Sequence, residues 1–419
     1  MSRLAELIEE LCPDGVEYRT LGEMGSLFGG LSGKTKSDFV EVDGACPFVT
    51  YKEVYSLLEI NQIPQGRVLV SSHEKQLVLQ RGDVLFTGSS ENADEVGLTA
   101  VVTAGFSEPV YLNSFSICLR WYEPAFEPGY TKYLFASTSV RAQIRRCASG
   151  VTRFNLSKKR LEGVRVPVPP LEVQREIVRI LDQFTTLEAE LEAELEARRT
   201  QYEHYRNHLL SYDSLAACGP VDMVKLGDVV SISRGASPRP ISKYVTQGEG
   251  TPWIKIGDVD PQGKFVTGTA ERITSAGAKK SRRVLPGEFI LSNSMSFGRP
   301  YILQIEGCVH DGWLILSDVT DHWIPDFLYH SLRTDDVQRQ FVQLASGGTV
   351  RNLNSRVIES VELCLPSKVV QEQVVSVLDR FDALVNDISS GLPAEIAARR
   401  AQYEHYRDRL LSFPEKEAE

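Results

Sequence analysis

Apolar residues recur at steps of mostly three and four through Leu171, Ile177, Leu181, Phe184, Leu187, Leu191, Leu195, Tyr202, Tyr205 and Leu209. A second such series runs through Val374, Leu378, Phe381, Leu384, Ile388, Leu392, Ile396, Tyr403, Tyr406 and Leu410. This period predicts two amphipathic helices, the first of roughly 40 residues and ~60 Å long. Burying one stripe against the other predicts an antiparallel two-helix coiled coil within the chain. Pro169-Pro170 and Pro366 stand just ahead of the helices, where proline is tolerated. Residues 187–198 read LEAE-LEAE-LEAR, a tandem four-residue repeat of good helix formers that predicts a rigid spacer. The second series has four more residues in the equivalent interval, and its Gly391 and Pro393 predict an interruption or restart of that helix.

Elsewhere the pattern is one of short β-rich runs. In the first half these are Cys46–Tyr51, Arg67–Ser72, Asp83–Thr87, Leu98–Thr103 and Phe115–Trp121. In the second they are Trp253–Ile256, Phe289–Ser292, Tyr301–Ile305 and Trp313–Ser317. Helical patterns follow at Tyr130–Arg146 and Pro325–Leu344. Strands, then helices, then a loop into a long helix indicate an α+β domain, present twice.

The duplication is legible residue by residue. RRTQYEHYRNHLLSY (198–212) returns as RRAQYEHYRDRLLSF (399–413), identical at eleven of fifteen positions. VRVPVPPLEVQREIVRILDQF (164–184) aligns without gaps to VELCLPSKVVQEQVVSVLDRF (361–381), and SGVTRFNLS (149–157) to SGGTVRNLN (346–354), both at an offset of 197. An offset of 205 pairs Leu21-Gly22-Glu23 with Leu226-Gly227-Asp228 and Gly82-Asp83-Val84-Leu85 with Gly287-Glu288-Phe289-Ile290. A period of about 200 residues is too long for a solenoid and says that one module is written twice. The chain divides into an N-terminal helix (1–16), a globular region (17–170), a helical spacer (171–212), a second globular region (213–366), a second spacer (367–413) and a tail (414–419). That order is close to cyclic.

Net charge of −10 argues at first against a nucleic-acid partner. Split by segment, the acid lies on the helices: −3 over 1–16, −5 over 161–213 and −3 over 366–419, against +1 over 17–160 and 0 over 214–365. The globular regions carry basic clusters, Arg141, Arg145, Arg146, Arg153, Lys158, Lys159 and Arg160 in the first and Lys279, Lys280, Arg282 and Arg283 in the second. These permit DNA binding without showing it. Seven scattered cysteines with no CxxC pair read as reduced thiols in a cytoplasmic protein. No apolar run approaches the roughly 18 residues of a membrane span, and the acidic, amphipathic start is no signal peptide.

The paired motifs S-G-x-T-x-[RF]-N-L, P-x-P-P-L-x-x-Q and R-R-x-Q-Y-x-x-Y-R resemble those of the DNA-specificity subunit of type I restriction–modification systems. The LEAE units look like the variable tetrapeptide repeat of that family's central spacer. The resemblance covers essentially the whole chain. The second copy departs where Cys364 and Ser367 replace prolines, which puts the start of its helix in doubt. The resemblance implies a non-catalytic subunit whose two target-recognition domains each read half of a bipartite double-stranded DNA site. The long helices would set the spacing and dock methyltransferase subunits, which work with an endonuclease/translocase subunit.

Candidate DNA contacts lie in polar loops. The loop GGLSGKTKSDF (29–39), with Lys34 and Lys36, aligns with RGASPRPISKY (234–244), with Arg239 and Lys243, and places Lys34 opposite Arg239. The loops after the Gly82 and Gly287 runs offer Ser89, Ser90 and Asn92, and Asn293, Ser294 and Arg299. Asn and Arg suit bidentate base contacts. Arg153 and Arg351 lie in the repeated Ser-Gly loops. Chemistry of other kinds finds little support: there is no Asn-Pro-Pro-[Tyr/Phe] or Phe-x-Gly-x-Gly methyltransferase motif, no GxxxxGK[ST] loop and no spaced acid–acid–lysine nuclease signature. His204 and His208 have the i, i+4 spacing of metal ligands, but the second copy has His405 and Arg409, so no metal or cofactor is expected. A stand-alone DNA-modifying or cleaving enzyme and a protein-only coiled-coil scaffold are the alternatives.

Overall fold

The computed structural model describes residues 3–71, 73–261, 263–293, 298–345, 353–387 and 390–417. The chain folds as two compact units, one built from the segment up to Ala189 together with Ala398 onward, the other from Glu190–Ala397. Each unit therefore takes its closing helix segment from the other copy of the repeat.

The first unit is built on a five-stranded sheet in the order Gly25–Gly29, Ser116–Trp121, Val84–Thr87, Thr99–Val102, Glu59–Ile60. Only its last pair is parallel. The second unit repeats that order with Ser231–Arg234, Trp313–Ser317, Phe289–Ser292, Pro300–Leu303 and Phe265–Val266, again with only the last pair parallel. The central strands are buried on both faces, which explains their continuous apolar runs. Val84 and Phe86 join the core shared with the helices, while Leu85 joins a second core with Cys118, Val102 and Val49. Phe289 and Leu291 part from Ile290 in the same way. The first strand of each sheet order, Gly25–Gly29 and Ser231–Arg234 at one edge, is not among the β-rich runs of the sequence pattern.

Each predicted helical stretch is in fact two helices, Pro128–Ala136 with Thr138–Arg146, and Pro325–Leu332 with Asp335–Ala345. Ser137 and Thr334 make the break, their hydroxyls donating back to Leu134 O at 2.6 Å and Ser331 O at 2.8 Å. Small hydroxyl residues favour such helix boundaries over a continuous helix.

The first long helix is continuous over Leu171–Leu209, 39 residues. Its counterpart is broken into Lys368–Asn386 and Leu392–Leu410. A Cβ on Gly391 would stand 2.5 Å from Ala383 O and 2.8 Å from Asp387 O, so the break is packed too closely for any side chain there. Within each unit the helices run antiparallel. Phe184 stacks on Tyr406 (centroids 5.4 Å apart) in the first unit, and Phe381 packs on Tyr205 (5.2 Å) in the second.

The glutamine of the P-x-P-P-L-x-x-Q motif clamps each domain to its helix. Gln174 Oε1 accepts from Glu127 N at 2.9 Å, and its Nε2 donates to Ala125 O and Pro169 O at 2.9 and 2.8 Å. Gln371 treats Ile324 N, His322 O and Pro366 O alike, at 2.7, 3.2 and 3.0 Å. The helix that follows Cys364 and Ser367 is thus anchored as firmly as the first. A nearby ionic junction is also repeated, with its charges exchanged. In the first unit Lys132 on helix Pro128–Ala136 lies 3.5 Å from Glu59 and 3.3 Å from Asp182. In the second, Lys264 reaches Asp326 on helix Pro325–Leu332 at 2.6 Å and Asp379 at 2.9 Å.

The helix ends cap the domains. Asp408 Oδ1 accepts from Thr138 N at 3.0 Å, the first amide of its helix. At the equivalent place Asn207 Oδ1 accepts from Asp335 N at 2.9 Å and its Nδ2 donates to Asp335 Oδ2 at 2.8 Å. Asp408 also accepts from Arg407 Nη2 at 3.1 Å. Arg206, the counterpart of Arg407, is buried over Tyr202, and its Nε and Nη1 have no hydrogen-bond partner among the described residues. The two pairs should therefore be exchangeable only together. Asn207→Asp alone sets two carboxylates against each other, whereas Asn207→Asp with Asp335→Thr recreates the first unit's cap and gives Arg206 an acceptor. A double-mutant cycle by denaturant unfolding should show a favourable coupling of about 1–2 kcal/mol; simple additivity would contradict it.

Candidate nucleic-acid interface

In the first unit the strand Val84–Thr87 runs out into Ser89-Ser90, which pairs with Phe154 and Asn155 in a small three-stranded sheet. Two loops distant in sequence, TGSSENADEVG and SGVTRFNLS, are thereby joined. Arg153 Nη2 donates to Ser89 Oγ at 3.0 Å, and Tyr51 OH to Ser89 O at 2.6 Å. Ser89, Ser90 and Arg153 then line one cleft of about 420 Å³ together with Tyr51, Tyr55, Glu91, Glu95 and Phe115. Asn92 is held within its own turn: Oδ1 accepts from Asp94 N at 2.9 Å and Nδ2 donates to Glu95 at 3.0 Å.

The loop's base is fixed by Gly97, whose φ of +70° is a conformation glycine adopts freely; a Cβ there would meet Ile144 at 2.5 Å. Gly298 does the same against Phe341 in the second unit, also at φ +70°. Arg141 is used structurally. It donates to the carbonyls of Asp94, Val96 and Gly97, and burial, helped by Arg145, pulls its guanidinium down to about 10. Arg145 pairs with Asp94. Arg146, Lys158, Lys159 and Arg160 are exposed and, among the described residues, have no side-chain partner, leaving a basic rim available to phosphate.

Lys34 and Arg239 align in sequence but differ in setting. The Lys34 side chain is 5% exposed and its ammonium donates to Leu69 O at 2.5 Å and Glu74 at 2.7 Å, so it braces the loop. Lys36 is exposed. Hydrogen bonds from Gln76, Lys34 and the Ser71 amide hold the Glu74 carboxyl down to about 2. A depressed carboxyl stabilises the fold above its unfolded pKa of about 4.3, and that contribution is lost as pH falls toward 2. Protection of the amides across 69–71 and 73–76, corrected for intrinsic exchange, should therefore fall between about pH 4.3 and 2 ahead of the sheet; Glu74→Gln should flatten this step, and an unchanged profile would contradict it.

In the second unit the loops converge on Asp311. Its carboxylate accepts from Ser237 Oγ at 2.7 Å and lies 3.2 Å from Arg239 Nη2, contacts that with His310 hold it below the usual carboxylate range. The Arg239 side chain is 80% exposed, and Lys243 is also exposed. Asn293 is buried, its amide donating to Gly312 O at 3.1 Å, so it shapes the loop's backbone. Arg299 lies over the Tyr301 ring at 5.7 Å, with its buried Nε and Nη2 unpaired among the described residues. Ser294 and Arg351 lie outside the described residues.

Reading the sequence missed Tyr51, Tyr55, Phe115 and Asp311. Phe115 was visible only as the start of a β-run, and Asp311 as one acid among many. His204 and His208 stack, centroids 6.3 Å apart, on an exposed helix face. Among the described residues no helix is long and apolar enough to cross a membrane.

Comparison with known proteins gives a consistent result. The Escherichia coli type I restriction enzyme EcoR124I/EcoR124II specificity subunit is 32% identical over 262 residues, 60% of this chain and 62% of that one. The match thus spans less than two thirds of that relative's length. A chain from a structure titled for complex assembly and conformational transition of the type I R-M system superposes with a TM-score of 0.65 at 19% identity, covering 96% of this chain and 98% of that one. The HsdS subunit from Thermoanaerobacter tengcongensis gives 0.51 at 18% identity over 96% and 98% of the two chains. These two likenesses concern the fold. Residues 13–197 and 219–398 each match the family described as type I restriction modification DNA specificity domain. With both copies matched over most of its length, the chain belongs to that family.

Proposed function

We propose that this chain is the sequence-reading, non-catalytic subunit of a cytoplasmic type I restriction–modification assembly. Each unit reads one half of a bipartite duplex site, and the long helices set the gap and dock the methyltransferase subunits, which act with an endonuclease/translocase subunit. The observation that carries this reading is the contrast between repeated frame and unrepeated loops. The sheet order, the glutamine clamps, the caps and the Phe–Tyr packing recur in both units. The loops do not: a cleft with aromatic walls stands in one unit and an Asp311-centred cluster in the other. Equivalent scaffolds with different polar loops suit the reading of two different base sequences, since framework contacts position and loop contacts specify.

The test is selection from random duplexes by the chain co-purified with its methyltransferase subunits. Two enriched blocks separated by a fixed gap are expected. No enriched block, or methyl transfer or cleavage by the chain alone, would overturn the proposal.

A further inference from the structure

The first unit's cleft has two features that phosphate binding does not use. Phe115 is 63% exposed, held outward by a buried turn in which Asn113 Oδ1 accepts its amide at 2.9 Å. Asn113 is itself anchored to Val49 O at 3.1 Å and Ser116 at 2.9 Å, so the ring cannot fold inward without breaking that turn. Across the cleft Tyr51 and Tyr55 stack, centroids 6.4 Å apart. At the rim Glu91 is exposed, and among the described residues its carboxylate has no partner.

An unpaired carboxylate facing a polyanion is unfavourable unless it accepts from a base donor, and an outward aromatic ring beside it can supply an apolar contact to a base edge. The major-groove edge of an A·T pair offers both, the adenine N6 amine as donor and the thymine C5 methyl. We propose that this cleft reads an A·T pair in the first unit's half-site, Glu91 accepting from the adenine amine and Phe115 covering the thymine methyl. Arg153, oriented by Ser89, keeps its remaining N–H groups for the adjoining phosphate. The second unit has Gly312 where the first has Phe115, so it reads its half differently. The inference rests on the bipartite reading proposed above.

Random-duplex selection by the full chain with its methyltransferase subunits should be run for the wild type, Phe115→Ala and Glu91→Ala. The wild type should select an A·T pair at one position of one block. Glu91→Ala should relax that position and leave the other block unchanged. Uracil in place of that thymine should weaken wild-type binding at least about fivefold and leave Phe115→Ala binding unaffected. Both residues are exposed, and matching thermal melts will show the variants folded. A bipartite site with the same base profile in wild type and both variants would overturn this inference alone. Absence of any bipartite site would overturn the function and this inference with it.

Discussion

Gln371→Glu should lower the unfolding temperature of the second unit by about 10 °C and leave that of the first unchanged. Gln371 is fully buried and donates to two carbonyls, Pro366 O and His322 O, while accepting from Ile324 N. A glutamate keeps the acceptor but turns a donor into a charge facing two carbonyl oxygens. Losing buried donors and leaving a charge uncompensated costs about 3–5 kcal/mol, and for units of this size each kcal/mol is worth roughly 2–4 °C. Gln373→Glu, exposed on the same helix, is the control. Gln174→Glu should reproduce the loss in the first unit only. Calorimetry of the three variants checks this, and equal melting of Gln371→Glu and the control would contradict it. In the assembly each clamp variant should weaken selection of one half-site, because the clamp fixes the start of the helix on which that unit's sheet rests.

A second large effect is expected from one extra LEAE unit within 187–198. Four residues advance an α-helix by ~6 Å and turn it about 40° beyond a full turn. The inserted residues are good helix formers, and the stretch is exposed or half-buried, so the helix should absorb them. On a duplex series varied one base pair at a time, the optimal gap should move by roughly one to two base pairs, against ~3.4 Å per base pair. The preferred bases should stay the same. An unmoved optimum would mean that the helix does not set the gap.

How much of this could be read from the sequence depended on whether the signal was local. The helices, the break at Gly391 and the repeated tyrosines follow from period and residue type. The glutamine was visible as a repeated position, yet its task was hidden, because its partners are backbone groups 47 residues away. The junction of Lys132 with Glu59 and of Lys264 with Asp326 could not be aligned, since charge exchange preserves the interaction and erases the identity. Lys34 and Arg239 show the reverse: their alignment suggested a shared role, but only Arg239 keeps its side chain exposed. Of the expected contacts, Ser89, Ser90 and Arg153 meet in one cleft and Arg239 and Asn293 gather near Asp311. The aromatic wall escaped notice because exposure of Phe115 is set by a buried turn rather than by local pattern.

The division of labour between the units is tested most directly by base-by-base selection with one substitution in each, Phe115→Ala and Arg239→Ala, in the full assembly. Each substitution is expected to change one block of the bipartite site and leave the other intact. A substitution that alters both blocks, or a single contiguous block that both alter, would contradict it.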